Sequence, residues 1–156
     1  MSSAQKFEQL LMELDQRIKH SDILAPSVSS SPVGWHIEHC LITFDKITGA
    51  LQKSDPSKFK AQFNLVGFII LSLGYIPRGK AKAPKIACPE TFSRAHLVEH
   101  LEQSKEVIQA IPAIDSNAWF RHPFFGNLKA KKAVRFMEVH TKHHLKIMDD
   151  IIAART

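Results

Sequence analysis

The feature that most constrains this chain is the recurrence of apolar residues at three- and four-residue intervals. Between residues 4 and 20 they fall at Phe7, Leu10, Leu11, Leu14 and Ile18, which together form one buried face of an α-helix. Serine- and proline-rich breaks separate this segment from others of the same kind. Further helices are predicted at about 33–53, 57–73 and 91–110, and from Asn127, as N-cap, to about Ala153.

Two stretches do not fit this pattern simply. The apolar run "FNLVGFIILSLG", 63–74, contains Gly67 and β-branched residues, so a buried strand is the alternative to a helix. We favour a helix because nothing else in the chain would pair with a lone strand. The stretch 111–126 contains Pro112, Pro123 and Gly126, and we predict a long connection without regular structure for much of its length.

Four or five helices without convincing strands predict an all-α fold, a helical bundle. A chain of 156 residues with 44% hydrophobic content is expected to form a single domain, 1–156, around one continuous core. It has no run of about 18 uninterrupted apolar residues, and its N-terminus has charges where a signal peptide is apolar. We therefore expect a soluble, cytoplasmic protein with no membrane contact, whose two cysteines, Cys40 and Cys88, are reduced.

The net charge of +6 is concentrated in two basic segments, "PRGKAKAPK" at 77–85 and "KAKKAVR" at 129–135. We interpret them as a solvated loop and the polar face of a helix, with a binding surface for an anionic group as the alternative. No helix-turn-helix, zinc-finger or RNA-binding pattern accompanies these charges, so no specific nucleic-acid partner is expected.

The last predicted helix carries His140, His143 and His144 in "RFMEVHTKHHLKIMDD". On a helical wheel, His140 and His144 lie within about 20° of the centre of the apolar stripe, whereas His143 lies about 80° away. Buried imidazoles need polar partners, from side chains, water or a metal ion. Because two histidines one turn apart can share one metal ion, this pair is a candidate metal site.

A third ligand is expected from a facing helix. The stretch "SPVGWHIEHCL", 31–41, offers His36 and His39. Periodicity favours His36, which lies nearer than His39 to the apolar stripe of its helix. The residues alone leave both open.

Other histidines are weaker candidates for metal ligands. His96 and His100 also have i, i+4 spacing, but they flank the apolar stripe, and Glu99 between them indicates a wetter face. His122 lies next to Pro123 in the long connection, which favours a position in a turn or in the wall of a pocket.

Three motifs, "SPVGWHIEHCL", "HPFFGNL" and "HTKHH", resemble in their order the DinB/YfiT-like superfamily of metalloenzymes. The segments "PRGKAKAPK" and "RFMEVHTKHHLKIMDDI" are similar to its DUF1569 group. The resemblance implies a four-helix bundle of up-down-down-up order, here with an extra helical segment. It also implies a divalent metal bound by one histidine of the second helix and an HxxxH pair on the last.

Carried onto this sequence, the resemblance implies His39, His140 and His144 as the metal ligands. The family's second-helix pattern, approximately WSPxExxxHL, aligns its histidine with His39. Trp35 stands where the pattern has its acid and Cys40 where it has leucine, so His36 stays an alternative. Three imidazoles leave at least one coordination position open and suit zinc, nickel or iron.

Relatives of known activity imply a metal-dependent transferase that uses a low-molecular-weight thiol as cosubstrate. In such chemistry the metal ionises the thiol. Hydrolysis of a small substrate is the variant. Glu38 and Glu138, next to the ligand positions, are candidates for handling protons, although we expect solvated surface glutamates. The basic loop, Arg78 to Lys85, is a candidate site for an anionic small-molecule substrate.

The alternative is a non-catalytic protein. No nucleophile or general base stands at a recognisable spacing, and a fold by itself does not establish an activity. On this hypothesis the chain is a metal-binding or stress-associated bundle protein that acts by binding or by forming a homodimer.

Overall fold

The computed structural model describes residues 2–80 and 82–155. In chain order its longer helices and strands are α1 (Ser3–Ile18), α2 (Val33–Lys53), α3 (Leu65–Leu73), α4 (Arg94–Gln109), β1 (Trp119–His122), β2 (Gly126–Lys129) and α5 (Ala130–Arg155). Short 3-10 turns occupy Pro56–Lys58, Lys85–Ala87 and Ile111–Ala113. The fold is therefore mostly helical, as predicted, with one small sheet.

The four long helices surround a common core, and α2 lies at its centre. Helices α1, α4 and α5 all pack against α2, and α1 also packs against α4 and α5. Because α2 has neighbours on several sides, it is buried around most of its circumference rather than along one stripe. Both apolar and polar side chains of α2 therefore enter the interior.

The start of α2 is fixed by local backbone geometry. Pro32 precedes the helix with an extended backbone, a conformation that proline favours at a helix N-terminus. A Cβ atom on Gly34 would lie 2.2 Å from the ring of Phe92, so only glycine permits this approach of the segment that precedes α4. Ser93 then caps α4 by accepting a hydrogen bond from the backbone of His96. The observed bounds of α2 match the predicted ones.

The connection before α5 contains an antiparallel hairpin, which corrects the prediction that strands are absent. Trp119 pairs with Lys129 and His122 with Gly126. The turn between the strands begins at Pro123 and ends at Gly126, whose φ of 72° is a conformation that glycine adopts readily. Asn127 lies in β2 and donates to the Lys60 carbonyl over 2.9 Å, so its predicted role as N-cap of α5 is wrong.

The apolar run 63–74 forms a helix, and the alternative of a buried strand is wrong. The helix is shorter than predicted: Asn64 caps it by accepting from the Gly67 amide over 2.7 Å, and Gly74, with a φ of 66°, ends it. Its outer face is apolar and exposed, as Phe68 at 58% and Leu73 at 73% exposure illustrate.

No helix in the described ranges is both long enough and apolar enough to cross a membrane. Cys40 is buried, Cys88 is half-buried, and both thiols are free, as the sequence predicted.

Candidate metal site

Three histidines from two helices meet in the interior. His39 of α2 and the pair His140 and His144 of α5 each offer a ring nitrogen, and these three nitrogens lie within 4.8 Å of one another. The Nε2 atoms of His39 and His140 are 3.0 Å apart. The α2–α5 contact therefore joins the predicted HxxxH pair to the histidine of α2 that the family resemblance indicated.

The orientation of His39 is set by a loop carbonyl. Its Nδ1–H donates to the carbonyl oxygen of Ala87 over 2.6 Å, so in the neutral ring Nε2 carries the lone pair. Across the contact, Nε2 of His140 faces Nε2 of His39. The other ring nitrogen of His140, Nδ1, is enclosed and has no hydrogen-bond partner. A metal ion among the three rings would use nitrogen lone pairs that already converge, so the residues fit a cation.

His36 lies beside this group and contacts only one of its members. Its Nδ1 is 2.9 Å from Nδ1 of His144, and its Nε2 is 3.0 Å from the Ser29 hydroxyl. The chain Ser29–His36–His144 uses Nδ1 of His144 and leaves its Nε2 for a cation. His36 is thus a hydrogen-bonding neighbour of the group, and His39 is the α2 histidine that faces the α5 pair.

Burial keeps these imidazoles neutral. Desolvation lowers the pKa of His36 to about 4, with a further contribution from His39, and lowers the pKa of His39 despite its bond to Ala87. Desolvation and the neighbouring rings hold the pKa of His140 and His144 well below the ordinary value. A neutral imidazole has the free lone pair that a metal ion requires.

The surroundings of the cluster are aromatic and basic. The indole of Trp35 stacks on His39 with ring centres 5.0 Å apart. Next to His143 is a cavity of about 50 Å³, whose lining includes Arg78, Lys142 and Lys146. Arg78 belongs to the predicted basic loop, whose Ala81 lies outside the described residues. Ala87, which accepts from His39, comes two residues after the end of that loop. Arg78 forms an ion pair with Asp150 at 2.7 Å.

A second polar cluster lies between α2 and α4. One carboxylate oxygen of Glu38, Oε1, is 2.9 Å from His100 Nδ1 and 3.0 Å from His96 Nε2, and His100 Nε2 is 2.8 Å from Asp45 Oδ2. Both Glu38 and His100 are buried. The prediction that Glu38 is a solvated surface residue is therefore wrong. The predicted wetter face holds for His96, whose side chain is exposed, and is wrong for His100.

The second cluster contains charged groups, whereas the rings of the first cluster are neutral. Hydrogen bonds to Asp45 and Glu38 raise the pKa of His100 to about 9. For Glu38, burial favours the neutral acid, but the bonds from His100 and His96 outweigh it and lower the pKa. At neutral pH the second cluster therefore pairs the ionised carboxylate of Glu38 with the protonated ring of His100.

Glu138 and His122 lie outside both histidine clusters: Glu138 forms ion pairs, and His122 packs in the hairpin. Glu138 is buried and pairs with Arg135 at 3.1 Å and Lys142 at 2.7 Å. The prediction that Glu138 is a solvated surface residue is therefore wrong, and neither of its partners is a histidine.

His122 is the last residue of β1. Its Nδ1 accepts from the backbone amides of Phe124 and Phe125, and its ring stacks on that of Phe125 at 4.3 Å, consistent with the predicted turn.

Sequence reasoning did not connect Glu38 with His96 and His100, and it missed Asp45. A signal for them exists: Glu38 and Asp45 are seven residues apart, which places them on nearly the same side of a helix, about 20° from each other. His96 and His100, four residues apart, also share one side of their helix. An acidic face on α2 and a histidine face on α4 therefore indicate a contact between the two helices.

Comparison with known proteins identifies the family of this chain. Neither the curated proteins nor the solved structures include a match to this chain. The family model of the DinB superfamily matches residues 6–148, a range that includes α2, the hairpin and the histidine pair of α5. The chain belongs to the DinB superfamily.

Proposed function

We propose that this protein is a metal-dependent enzyme whose His39, His140 and His144 bind one divalent transition metal. The observation that carries the proposal is the 3.0 Å approach of the His39 and His140 Nε2 atoms, with His144 beside them and burial keeping all three rings neutral. Zinc, nickel and iron all bind imidazole well. Three protein ligands leave room for a further ligand, which is typical of catalytic sites.

The proposal includes the finer family assignment. We place the chain in the DUF1569 group, on its "PRGKAKAPK" and "RFMEVHTKHHLKIMDDI" segments, and its long helices in a four-helix bundle of up-down-down-up order. The mutual contacts of α1, α2, α4 and α5 support such a bundle, with α3 as the additional helix.

The proposed reaction is transfer of a low-molecular-weight thiol, with hydrolysis of a small substrate as the variant. The bound metal would supply Lewis acidity, which lowers the pKa of a thiol or of water. The chain's own residues orient the ligands: Ala87 holds His39, and Ser29 holds His144 through His36. Lys142 and Lys146 beside His143 give this side of the site the positive charge that an anionic substrate would favour.

The first test is the metal content of tag-free protein purified without chelator. We expect at least one equivalent of metal in the wild type and one equivalent fewer in His39→Ala and in His140→Ala. His143→Ala is the matched control, because His143 lies on α5 next to the pair but outside the three-histidine group. Helical circular dichroism should be the same in all four proteins.

Two outcomes separate the possibilities. Loss of metal with the fold retained in both variants supports an open site, and an assay of thiol transfer with several cellular thiols then tests the reaction. Wild-type protein that neither retains nor rebinds metal contradicts the proposal. Loss of the helical fold together with the metal indicates a structural ion instead.

A second candidate function is non-catalytic binding through a homodimer. The observation that favours it is the exposed apolar face of α3, formed by Leu65, Val66, Phe68 and Leu73, because soluble monomers rarely expose contiguous apolar surface of this kind. Sedimentation of the wild type and of Phe68→Glu tests it. A wild-type dimer that becomes a monomer in the variant supports a dimer through α3, and a wild-type monomer contradicts it.

A further inference from the structure

The polar cluster between α2 and α4 has no part in the proposed function, yet it joins three good metal ligands. Glu38, His96 and His100 each offer one ligand atom within 4.8 Å of the others, and Oε1 of Glu38 contacts both Nε2 of His96 and Nδ1 of His100. Glu38 immediately precedes His39 in the chain, but its side chain contacts α4, whereas that of His39 contacts α5. The two clusters therefore use different faces of α2.

We propose that Glu38, His96 and His100 form a second divalent-metal site and that Asp45 is its positioning residue. Two imidazoles and one carboxylate are a ligand set that zinc and iron(II) use in proteins. The distances of 2.9 and 3.0 Å from Glu38 Oε1 to the two ring nitrogens resemble the separation of adjacent ligands, about 3 Å, around a cation with bonds near 2.1 Å.

Asp45 gives His100 the support that metal-binding histidines usually have. Its Oδ2 atom is 2.8 Å from His100 Nε2, so Nε2 can donate its hydrogen to Asp45 while Nδ1 faces the cation. This carboxylate–histidine arrangement fixes the ring and makes the ligating nitrogen more basic. The bond of His39 to Ala87 does the same in the first cluster, with a weaker acceptor.

The second oxygen of Glu38 distinguishes a cation site from a purely ionic network. Both histidines bond to Oε1, whereas Oε2 is enclosed and has no hydrogen-bond partner. A buried carboxylate oxygen without a partner is unfavourable. A cation that binds both oxygens of Glu38 removes this penalty, and hydrogen bonds to Oε1 alone do not.

Charge and access also favour a cation here. Glu38 and Asp45 bring two carboxylates to the cluster, whereas the first cluster consists of neutral rings. The side chain of His96 is 51% exposed, so an ion can enter from solvent on that side while Glu38 and His100 stay buried.

The test is a titration of metal-free, full-length protein with Co²⁺, followed by equilibrium dialysis and by NMR of the histidine rings. His140→Ala removes the first site, and His96→Ala is introduced into that background because its exposed side chain is replaced with little effect on the core. His20→Ala in the same background is the control, since His20 belongs to neither cluster. We expect His140→Ala to bind one Co²⁺ that broadens the His96 and His100 signals.

This ion should be lost in His140→Ala/His96→Ala and retained in His140→Ala/His20→Ala. In the His140→Ala background, Asp45→Asn should weaken Co²⁺ binding 10- to 100-fold with unchanged circular dichroism. The proposal fails if His140→Ala binds no Co²⁺, or if binding does not depend on His96. In that case His100 acts only as a charged link between Glu38 and Asp45. A wild type whose one Co²⁺ depends on His96 and not on His140 would support this site and contradict the three-histidine site.

Discussion

Two histidine clusters share helix α2 and differ in what surrounds them. The rings of His39, His140 and His144 contact one another and a backbone carbonyl, and burial lowers their pKa values. His100, which is as buried as His144, lies between two carboxylates, and its pKa is raised to about 9. Burial alone thus does not set the charge of a histidine; the group that accepts its hydrogen bond does.

The largest expected effect comes from removing the carboxylate of the second cluster. Glu38→Leu leaves His96 and the buried His100 without their shared partner, and we expect the free energy of unfolding to fall by about 3 kcal/mol. Urea denaturation in the presence of a chelator measures it. Glu138→Leu is the matched control, because the partners of Glu138 are partly exposed, and it should cost about 1 kcal/mol or less. An equal fall in the free energy of unfolding in the two variants would show that Glu38 is no more important for stability than Glu138.

The pH dependence of stability should show histidines with raised and with lowered pKa values acting in opposite directions. His100 has a raised pKa of about 9, so its contribution to the free energy of unfolding is complete below the unfolded pKa of about 6.5 and is lost as pH rises through about 9, by about 3 kcal/mol. His36 and His122 have pKa values lowered to about 4. They hold fewer protons when folded than when unfolded between about pH 4 and 6.5, so stability falls as the solution is acidified.

Urea denaturation of metal-free protein from pH 5 to 9 should therefore give a maximum near neutrality. His100→Gln should flatten the alkaline side and leave the acidic side unchanged. A stability that keeps rising from neutral pH to pH 9 would show that His100 does not carry the charge assigned to it.

A smaller effect should distinguish the two histidines of "WHIEHC". His36 supports His144 through its Nδ1 and is held by Ser29, so His36→Gln should weaken metal binding about 10-fold without abolishing it. His39→Gln should remove binding at this site, which is one equivalent of metal. Isothermal titration with Zn²⁺ gives both values, and a reversed order would make His36 the ligand.

The smallest effect is expected at an exposed ion pair near the first cluster. Asp150 pairs with Arg78 at 2.7 Å, with both side chains about half exposed. Asp150→Ala should change stability by less than about 1 kcal/mol and should leave the metal content unchanged. A loss of metal in this variant would show that the basic loop helps to hold the site together.

Much of the helical fold could be predicted from the sequence because its signals are local. The stripe of α1, and Pro32 before α2, depend only on neighbouring residues, and the predicted bounds of α2 agree with the structure. The hairpin was missed because Pro123 and Gly126 were interpreted only as breakers. They are also turn residues, and the strands beside them are short.

The meeting of the α5 histidine pair with α2 was predictable because α5 has a clear apolar stripe, with His140 and His144 near its centre. The choice between His36 and His39 was not predictable from periodicity. Helix α2 packs against three other helices, so a single-stripe wheel ranks its buried positions wrongly. The same property concealed Glu38, whose burial depends on partners on α4 that are about 60 residues away in the chain.

We propose that His39, and not His36, completes a metal site with His140 and His144. Crystals grown with Zn²⁺ and measured at the zinc absorption edge test it most directly. We predict an anomalous difference peak bonded to Nε2 of His39, to Nε2 of His140 and to a ring nitrogen of His144. A peak bonded to His36 in place of His39, or no peak between α2 and α5, would contradict the account.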